Sequence, residues 1–313
     1  MISKAEFEEY LNQVDTSEYD ERMSKQQKKG TIFSVCCFSI LAVLVVAIII
    51  LGLCHLYWCF VFMPVCILAI SFGCAGKSLF TSKVYKDFDD KYRNQFMAKL
   101  LEGYNYHYSR NHYIAEHIYS RIGFTSTGDD YSGQDLLEIE IPNKDGESSG
   151  TWLRICDLHI TETHVYRDSD GTTHTETETL YSGAFGYVAF KEEFKCAIGI
   201  DAIPRIRGTK RIKLEDIEFN KQFRLHTTDQ LEALRILTPD MMQKLLNLNK
   251  VAKRLEVLLQ HNALSIGFAK DLFEPTRKDK KTIAEKYMPI YDDVEVLVKI
   301  VEEKKKKKKV FKI

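Results

Sequence analysis

The longest hydrophobic stretch of the chain covers residues 31–76, which contain no Asp, Glu, Lys or Arg. A helix crosses the hydrocarbon core of a bilayer with about 20 apolar residues, so this stretch is long enough for two crossings. The pattern predicts one span over residues 32–53 and a second over residues 56–75, with Cys54 and His55 between them. We therefore expect a transmembrane helical hairpin that contacts the lipid bilayer through both spans.

Positive charge flanks this hairpin on both sides and is missing from its tip. The flanking basic residues are Arg22, Lys25, Lys28, Lys29, Lys77, Lys83, Lys86, Lys91 and Arg93. Because cytoplasmic flanks carry the excess of Lys and Arg, both termini are expected in the cytoplasm. The chain is thus predicted to be a multi-pass protein of the cell (inner) membrane. Transport by the hairpin alone is not expected, because transport paths use ionisable groups at membrane depth.

Helical periodicity surrounds the hairpin. Residues 3–6 (Ser-Lys-Ala-Glu) fit a capping box, which predicts a short amphipathic helix that we expect to dock on the folded domain. Apolar residues recur every four positions from Val84 to Phe96, which predicts a helical stalk. The Tyr- and His-rich residues 104–124 are expected to hold another short helix.

Strand patterns follow, rich in β-branched and aromatic residues and separated by turn signals. The predicted strands cover residues 136–141, 152–164, 178–190, 194–201, 211–214 and 219–226. A β-hairpin is predicted further on, with alternating apolar residues at 255–259 and 264–268 around His261 and Asn262.

Helices are predicted in the same part of the chain. Asp229 is expected to cap one helix, Thr238 and Pro239 to begin a second that runs to about residue 247, and a last helix to follow Pro289. Strands and helices come in runs without regular βαβ alternation, which indicates an α+β fold with a largely antiparallel sheet and flanking helices.

The predicted organisation has five parts. They are a cytoplasmic N-terminal segment (residues 1–30), the transmembrane hairpin (31–76), a helical stalk (77–124), a cytoplasmic α+β domain (125–303) and a polylysine tail (304–313).

Composition excludes several classes. The formal net charge is zero, so nucleic acid is not expected as a partner. Six of the eight cysteines lie in or beside the hairpin, which leaves Cys156 and Cys196. Two scattered thiols form neither a disulfide framework nor a zinc cluster, in agreement with a reducing cytoplasm. No cofactor is expected.

The most suggestive catalytic string is Asp168-Ser-Asp170-Gly171-Thr. It matches the first motif of haloacid-dehalogenase-like phosphatases, in which the first Asp attacks phosphorus. That chemistry needs the end of a buried parallel strand, whereas Thr, Glu and His flank the string here. We therefore interpret it as the turn of an exposed hairpin and assign no catalytic residue.

Histidines of the same hairpin suggest a metal site. The candidate ligands for a surface divalent metal are His159, His164, His174, Asp168 and Asp170. His159 and His164 are five residues apart and so fall on opposite faces of a strand, which favours a solvated hairpin. A membrane-tethered metal-dependent hydrolase remains the alternative function.

The C-terminal lysines suggest lipid contact. The six consecutive residues are Lys304, Lys305, Lys306, Lys307, Lys308 and Lys309. Each Lys near an anionic leaflet can contribute about 1 kcal/mol of binding free energy. The alternative is a solvated tail at the end of a helix.

Five short motifs follow one another in a fixed order along the chain. They are Tyr131-Ser132-Gly133-Gln134-Asp135, Asp157-Leu158-His159-Ile160-Thr161-Glu162, Tyr181-Ser182-Gly183-Ala184-Phe185, Leu237-Thr238-Pro239-Asp240-Met241-Met242 and Asp271-Leu272-Phe273-Glu274-Pro275. Behind a transmembrane hairpin, this series resembles the bacterial membrane proteins called domain of unknown function 3137, over roughly residues 80–301. The resemblance implies a hairpin-anchored cytoplasmic domain and implies no activity.

Taken together, these patterns predict a binding or scaffold module rather than an enzyme. It would be anchored in the membrane, and its cytoplasmic domain would bind a protein or an anionic lipid at the inner face.

Overall fold

A computed structural model describes residues 1–53, 59–142, 150–202, 204, 206–252, 254–273 and 283–310. The chain forms two compact units. One comprises Met1–Glu9 and Lys99–Ile313, and the other Tyr10–Ala98. We call them the sheet unit and the helical unit.

The helical unit is built on two long helices, α2 (Ser17–Leu53) and α3 (Cys59–Leu100), which follow α1 (Lys4–Gln13). Their contacts pair low residue numbers on α2 with high numbers on α3, so the helices run antiparallel. The pairs are Tyr19 with Phe88 (ring centroids 4.3 Å apart), Phe33 with Phe80 (5.6 Å) and Phe38 with Gly73.

The exterior of α2 is apolar. Ser17–Val46 is long and apolar enough to cross a membrane, and it is the one such helix among the described residues. Only 6% of its most apolar part is buried, and Val43 is 70% exposed. The core helix of a soluble protein would be mostly covered, so this surface favours a bilayer. The side chains of residues 47–66, which include about half of the second predicted span, lie outside the described residues.

The sheet unit contains one nine-stranded antiparallel sheet, in the order β1-β2-β3-β4-β9-β8-β5-β7-β6. The strands are β1 (Asn105–Ser109), β2 (Asp130–Ile141), β3 (Thr151–Arg167), β4 (Thr173–Ala189), β5 (Ile198–Ile200), β6 (Lys210–Ile212), β7 (Leu225–Thr227), β8 (Leu255–Gln260) and β9 (Ala263–Phe268). The helices of this unit are α4 (Glu116–Ile122), α5 (Ile217–Gln222), α6 (Gln230–Ile236), α7 (Pro239–Ala252) and α8 (Ile283–Val310). The predicted α+β class with a largely antiparallel sheet is confirmed.

The predictions from sequence were accurate where one or two side chains determine the local backbone structure. The Asp229 carboxylate accepts hydrogen bonds from the backbone N–H groups of Leu231 (2.9 Å) and Glu232 (3.1 Å), as expected of the N-cap of α6. The β8–β9 hairpin closes at the predicted turn, where His261 has a φ of 51°. The predicted short helix within residues 104–124 is α4, but the same segment also contains β1, which the sequence did not predict.

The prediction of a strand over residues 219–226 was wrong. The segment begins as α5 and then enters β7. The Asp216 carboxylate caps α5 by accepting from the Phe219 N–H at 2.9 Å. Phe219 and Phe223 are both buried and lie four residues apart, which is helical spacing. Their aromatic character is typical of a strand, but the N-cap at Asp216 favours a helix.

The last helix also differs from the prediction. α8 begins at Ile283, so Pro289 lies inside it rather than before it. The helix backbone continues to Val310 through the six lysines of the predicted tail, whose side chains lie outside the described residues.

The beginning of the chain packs against α8, as the sequence predicted for its N-terminal helix. The capping box forms, because the Ser3 N–H donates to Glu6 Oε2 (2.8 Å) and the Glu6 N–H donates to Ser3 Oγ (3.3 Å). The Phe7 ring stacks on Tyr291 at 5.6 Å, and the Tyr291 hydroxyl donates to the Ile2 carbonyl at 2.8 Å.

We expect Phe7→Ala to release the first residues from α8 while the sheet stays folded. Phe7 is 1% exposed, and loss of its burial should cost about 2–3 kcal/mol at this contact. Limited proteolysis of the full chain should therefore cleave residues 1–9 faster. Lys4→Ala is the control, because it removes only an exposed ion pair with Asp292, worth at most about 1 kcal/mol. Equal cleavage of Phe7→Ala and the unaltered protein would contradict the prediction.

Candidate functional site

Strands β3 and β4 extend beyond the rest of the sheet as a two-stranded arm. Pairing of β3 with β2 stops at Thr161, and pairing of β4 with β9 starts only at Phe185. Residues 162–167 and 173–178 pair with each other, and in the described parts of the chain no third strand pairs with them. We call residues 162–178 the β3–β4 arm. The Thr163 N–H donates to Asp129 Oδ2 at 3.1 Å, and beyond this bond the two backbone edges of the arm are available to another strand.

A tight turn closes the arm. One carboxylate oxygen of Asp168 accepts from the N–H groups of Asp170 (3.0 Å) and Thr172 (2.9 Å), and its carbonyl accepts from Gly171 N–H (3.1 Å). Gly171 has a φ of 82°, which suits glycine. Hydrogen bonds from His174 and then from Thr172 lower the pKa of Asp168. Asp168 and Asp170 thus shape a turn, as interpreted from the sequence, and lie at the end of no buried strand.

The arm has two chemically different faces, because side chains alternate along a strand and directly opposite residues share a face. The acid–histidine face carries Glu162, His164, Tyr166, His174, Glu176 and Glu178. The threonine face carries Thr163, Val165, Arg167, Thr173, Thr175 and Thr177. Two large side chains are well exposed, Val165 at 67% and Tyr166 at 53%. The arm thus presents an apolar and an aromatic contact on opposite faces.

The candidate metal ligands fall into separate places along the arm. His164 Nε2 lies 3.6 Å from Glu178 Oε2, and His174 Nε2 lies 2.8 Å from Asp168 Oδ2. His159 is opposite Ser182, nearer the body of the sheet. Across the described residues, no three His, Cys, Asp or Glu side chains are placed to hold one metal ion. Within the described ranges, the candidate ligands predicted from the sequence are therefore not gathered at one point.

Four of the quoted motifs meet instead at a buried joint inside the sheet unit. Asp157, on β3, is 3% exposed, and its carboxylate accepts from the N–H groups of Leu272 (2.9 Å) and Phe273 (3.3 Å). Asp135, on β2, is 1% exposed, has a φ of 63° and accepts from the Tyr108 hydroxyl. The sequence carried a signal that Asp157 faces the core, because it follows the apolar Leu153 and Ile155 at strand spacing and both of these are buried.

The electrostatics of this joint are unusual. Burial raises the pKa of Asp157 to about 8, against a smaller opposite effect of the Leu272 N–H. The carboxylates of Asp271 and Asp135 contribute to this rise, because like charges disfavour ionisation. Asp157 therefore titrates near neutral pH while holding the backbone of the segment that follows β9.

A glycine completes the joint. Gly183 has a φ of 140°, and a Cβ at this position would lie 2.0 Å from the Phe268 carbonyl oxygen. The next residue, Ala184, donates its N–H to the Lys270 carbonyl at 2.9 Å. The close approach of β4 to the end of β9 thus requires the absence of a side chain. We interpret the joint as structural, and the β3–β4 arm as the part of this unit suited to binding.

Comparison with known proteins gives a match to one family model over part of the chain. A search of curated proteins found no match. Among solved structures, the crystal structure of the mycobacterial trehalose monomycolate transport factor A, TtfA, is similar at 12% identity and a TM-score of 0.34. That alignment covers 65% of this chain and 91% of the other, and it carries no argument about function. Residues 179–306 match the model of the family described as protein of unknown function (DUF3137), which confirms the resemblance predicted from the motifs.

Proposed function

We propose that this protein is a membrane-anchored interaction module that binds a protein partner through the β3–β4 arm at the cytoplasmic face of the inner membrane. The observation that carries the proposal is the arm itself, along which the described residues place no third strand, together with the exposed Val165 and Tyr166. Strand addition at such an edge supplies main-chain hydrogen bonds, and side chains on the faces supply specificity. The carboxylates on one face would discourage unselective pairing.

The proposed anchor is a two-span hairpin over residues 32–53 and 56–75, with both termini in the cytoplasm. The exposed apolar surface of α2 and the basic residues on both flanks support it. A tag at either end should resist protease added to intact spheroplasts and be cleaved once the membrane is permeabilised. Cleavage of either tag in intact spheroplasts would contradict the topology.

Photocrosslinking in cells tests the arm. A photoreactive amino acid at position 165 or 166 is expected to capture a discrete protein, whereas the same group at Leu231, on α6 and 72% exposed, is the control. Val165→Lys should reduce capture from position 166 several-fold without unfolding the sheet, because Val165 is exposed. Equal capture from the control position, or capture that Val165→Lys leaves unchanged, would sink the proposed role of the arm.

Anionic lipid is proposed as a second partner. The lysines at residues 304–309 would contact headgroups close to the anchor, at about 1 kcal/mol for each lysine that reaches the surface. Replacing all six lysines with Gln and comparing hydrogen exchange in anionic and neutral lipid nanodiscs measures their contribution.

A further inference from the structure

The far edge of the sheet carries several exposed cations. We call it the β6–α5 basic surface, and its members are Arg207, Lys210, Arg211, Lys213, Lys221 and Arg224. All six are exposed, and among the described residues none of them forms an ion pair. Some cations on other elements of the same unit do pair with a carboxylate, namely Arg235, Lys244 and Arg254.

This surface is held in a fixed shape. β6 is the last strand in the sheet order, and Arg211 lies opposite His226 on β7. The Asn220 side chain accepts from the Leu214 N–H at 3.0 Å and donates to the Leu214 carbonyl at 2.6 Å. That pair of bonds ties α5 to the end of β6, so the cations on the strand and on the helix lie on one fixed segment at the sheet edge, although Lys210 and Arg211 face opposite sides of the strand.

An apolar side chain protrudes from the same surface. Ile217, the first residue of α5, is 71% exposed, and Lys221 lies on its face of the helix one turn later. The other side of α5 is fixed by the buried Phe219 and Phe223. Four carboxylates lie nearby (Asp201, Glu215, Asp216 and Glu218), so the six cations keep a positive excess.

We infer that the β6–α5 basic surface binds the anionic headgroups of the bilayer in which the protein is anchored, with Ile217 entering the interface. This inference rests on the membrane anchor of the proposed function. Each cation near an anionic leaflet adds to the electrostatic attraction, and an inserted apolar side chain strengthens the contact further. The tether keeps the domain near the same membrane, so weak contacts suffice. Nucleic acid fits less well, because the surface exposes no aromatic side chain for base stacking among its described residues.

Hydrogen exchange of the full-length protein in lipid nanodiscs tests this surface. In discs containing phosphatidylglycerol, the amides of residues 206–224 should exchange about tenfold more slowly than in phosphatidylcholine discs. The combined variant Lys210→Gln, Arg211→Gln, Lys213→Gln and Lys221→Gln should abolish the difference. The matched control is Arg121→Gln, Lys195→Gln, Arg235→Gln and Lys250→Gln, which removes the same charge from other exposed positions and should keep the difference. High salt should also abolish it.

The outcomes separate this inference from the proposed function. Protein that incorporates into discs but shows equal exchange in both lipids overturns the inference and leaves the anchor and the arm standing. If the matched control also loses the difference between the two lipids, total charge causes the effect and the inference is overturned. If the six-lysine variant loses the whole difference, the tail causes the effect and the inference is overturned as well. Slower exchange of the same segment with added duplex RNA in phosphatidylcholine discs, without a lipid effect, would assign the surface to nucleic acid. Protein that fails to incorporate overturns both proposals.

Discussion

Gly183→Ala is expected to destabilise the sheet unit by about 3–5 kcal/mol. The residue has a φ of 140°, which an L side chain rarely adopts, and the new methyl group would lie 2.0 Å from the Phe268 carbonyl oxygen and 2.8 Å from the Lys270 nitrogen. Both obstacles are backbone atoms, so a side-chain rotation cannot relieve them. Either β4 and the end of β9 separate or the hydrogen bond from Ala184 to Lys270 is lost. Denaturant unfolding of the full chain in detergent, read by pulse proteolysis, measures the change.

Gly171→Ala separates the cost of the positive φ from the cost of the close backbone approach. Gly171 also has a positive φ, of 82°, but nothing lies within 4 Å of its added Cβ. Its replacement should therefore cost about 1 kcal/mol, the strain of the backbone conformation alone. If the two variants lose similar free energies of unfolding, the close approach at Gly183 does not matter.

Asp157→Ala is expected to cost about 2–4 kcal/mol, because two buried N–H groups, of Leu272 and Phe273, lose their acceptor. Asp157→Asn should cost less, since the amide oxygen can still accept one of these bonds. The same unfolding measurement compares the two variants. An Asp157→Ala variant as stable as the unaltered protein would show that the joint does not hold the segment after β9.

The pH dependence of stability provides a separate test of the same carboxyl. Its pKa is about 8 in the folded protein against 3.8 as the ordinary value, so between these values the folded state binds more protons than the unfolded state. The free energy of unfolding should therefore fall as pH rises from about 4 to about 8, by up to about 1 kcal/mol per unit from this group. Asp157→Asn should reduce that slope. It should not abolish it, because burial also raises the pKa values of Asp293 and Glu256.

Asp168→Asn is the matched control for this titration. The pKa of Asp168 is lowered by its hydrogen bonds from His174 and Thr172, so its stabilising effect is lost only as pH falls below its ordinary value. Between pH 5 and 8 its slope should equal that of the unaltered protein. A slope that Asp157→Asn leaves unchanged would mean that Asp157 stays ionised in the fold.

Sequence reasoning succeeded where neighbouring residues determine the structure. The turn at Asp168, the cap at Asp229 and the hairpin at His261 each depend on a few adjacent side chains. The joint could not be predicted this way, because Asp157 meets Leu272 across 115 residues. The β6–α5 basic surface could not be predicted either, because Phe219 and Phe223 favour a continued strand. A strand over these residues does not predict the exposed face of α5.

The long reach of the Asp157 joint also sets an order of events during synthesis. Asp157 leaves the ribosome 115 residues before the N–H group that it must bind. At about 5–20 residues per second, that interval is roughly 6–23 s. For most of it β4 lacks its neighbour β9, and Phe7 waits still longer for Tyr291 on α8. The hydrophobic residues 31–76 emerge before all of this, so the sheet completes its folding only after the apolar helices have been made. Nascent chains would therefore depend on shielding of the β4 edge until the last third of the protein arrives.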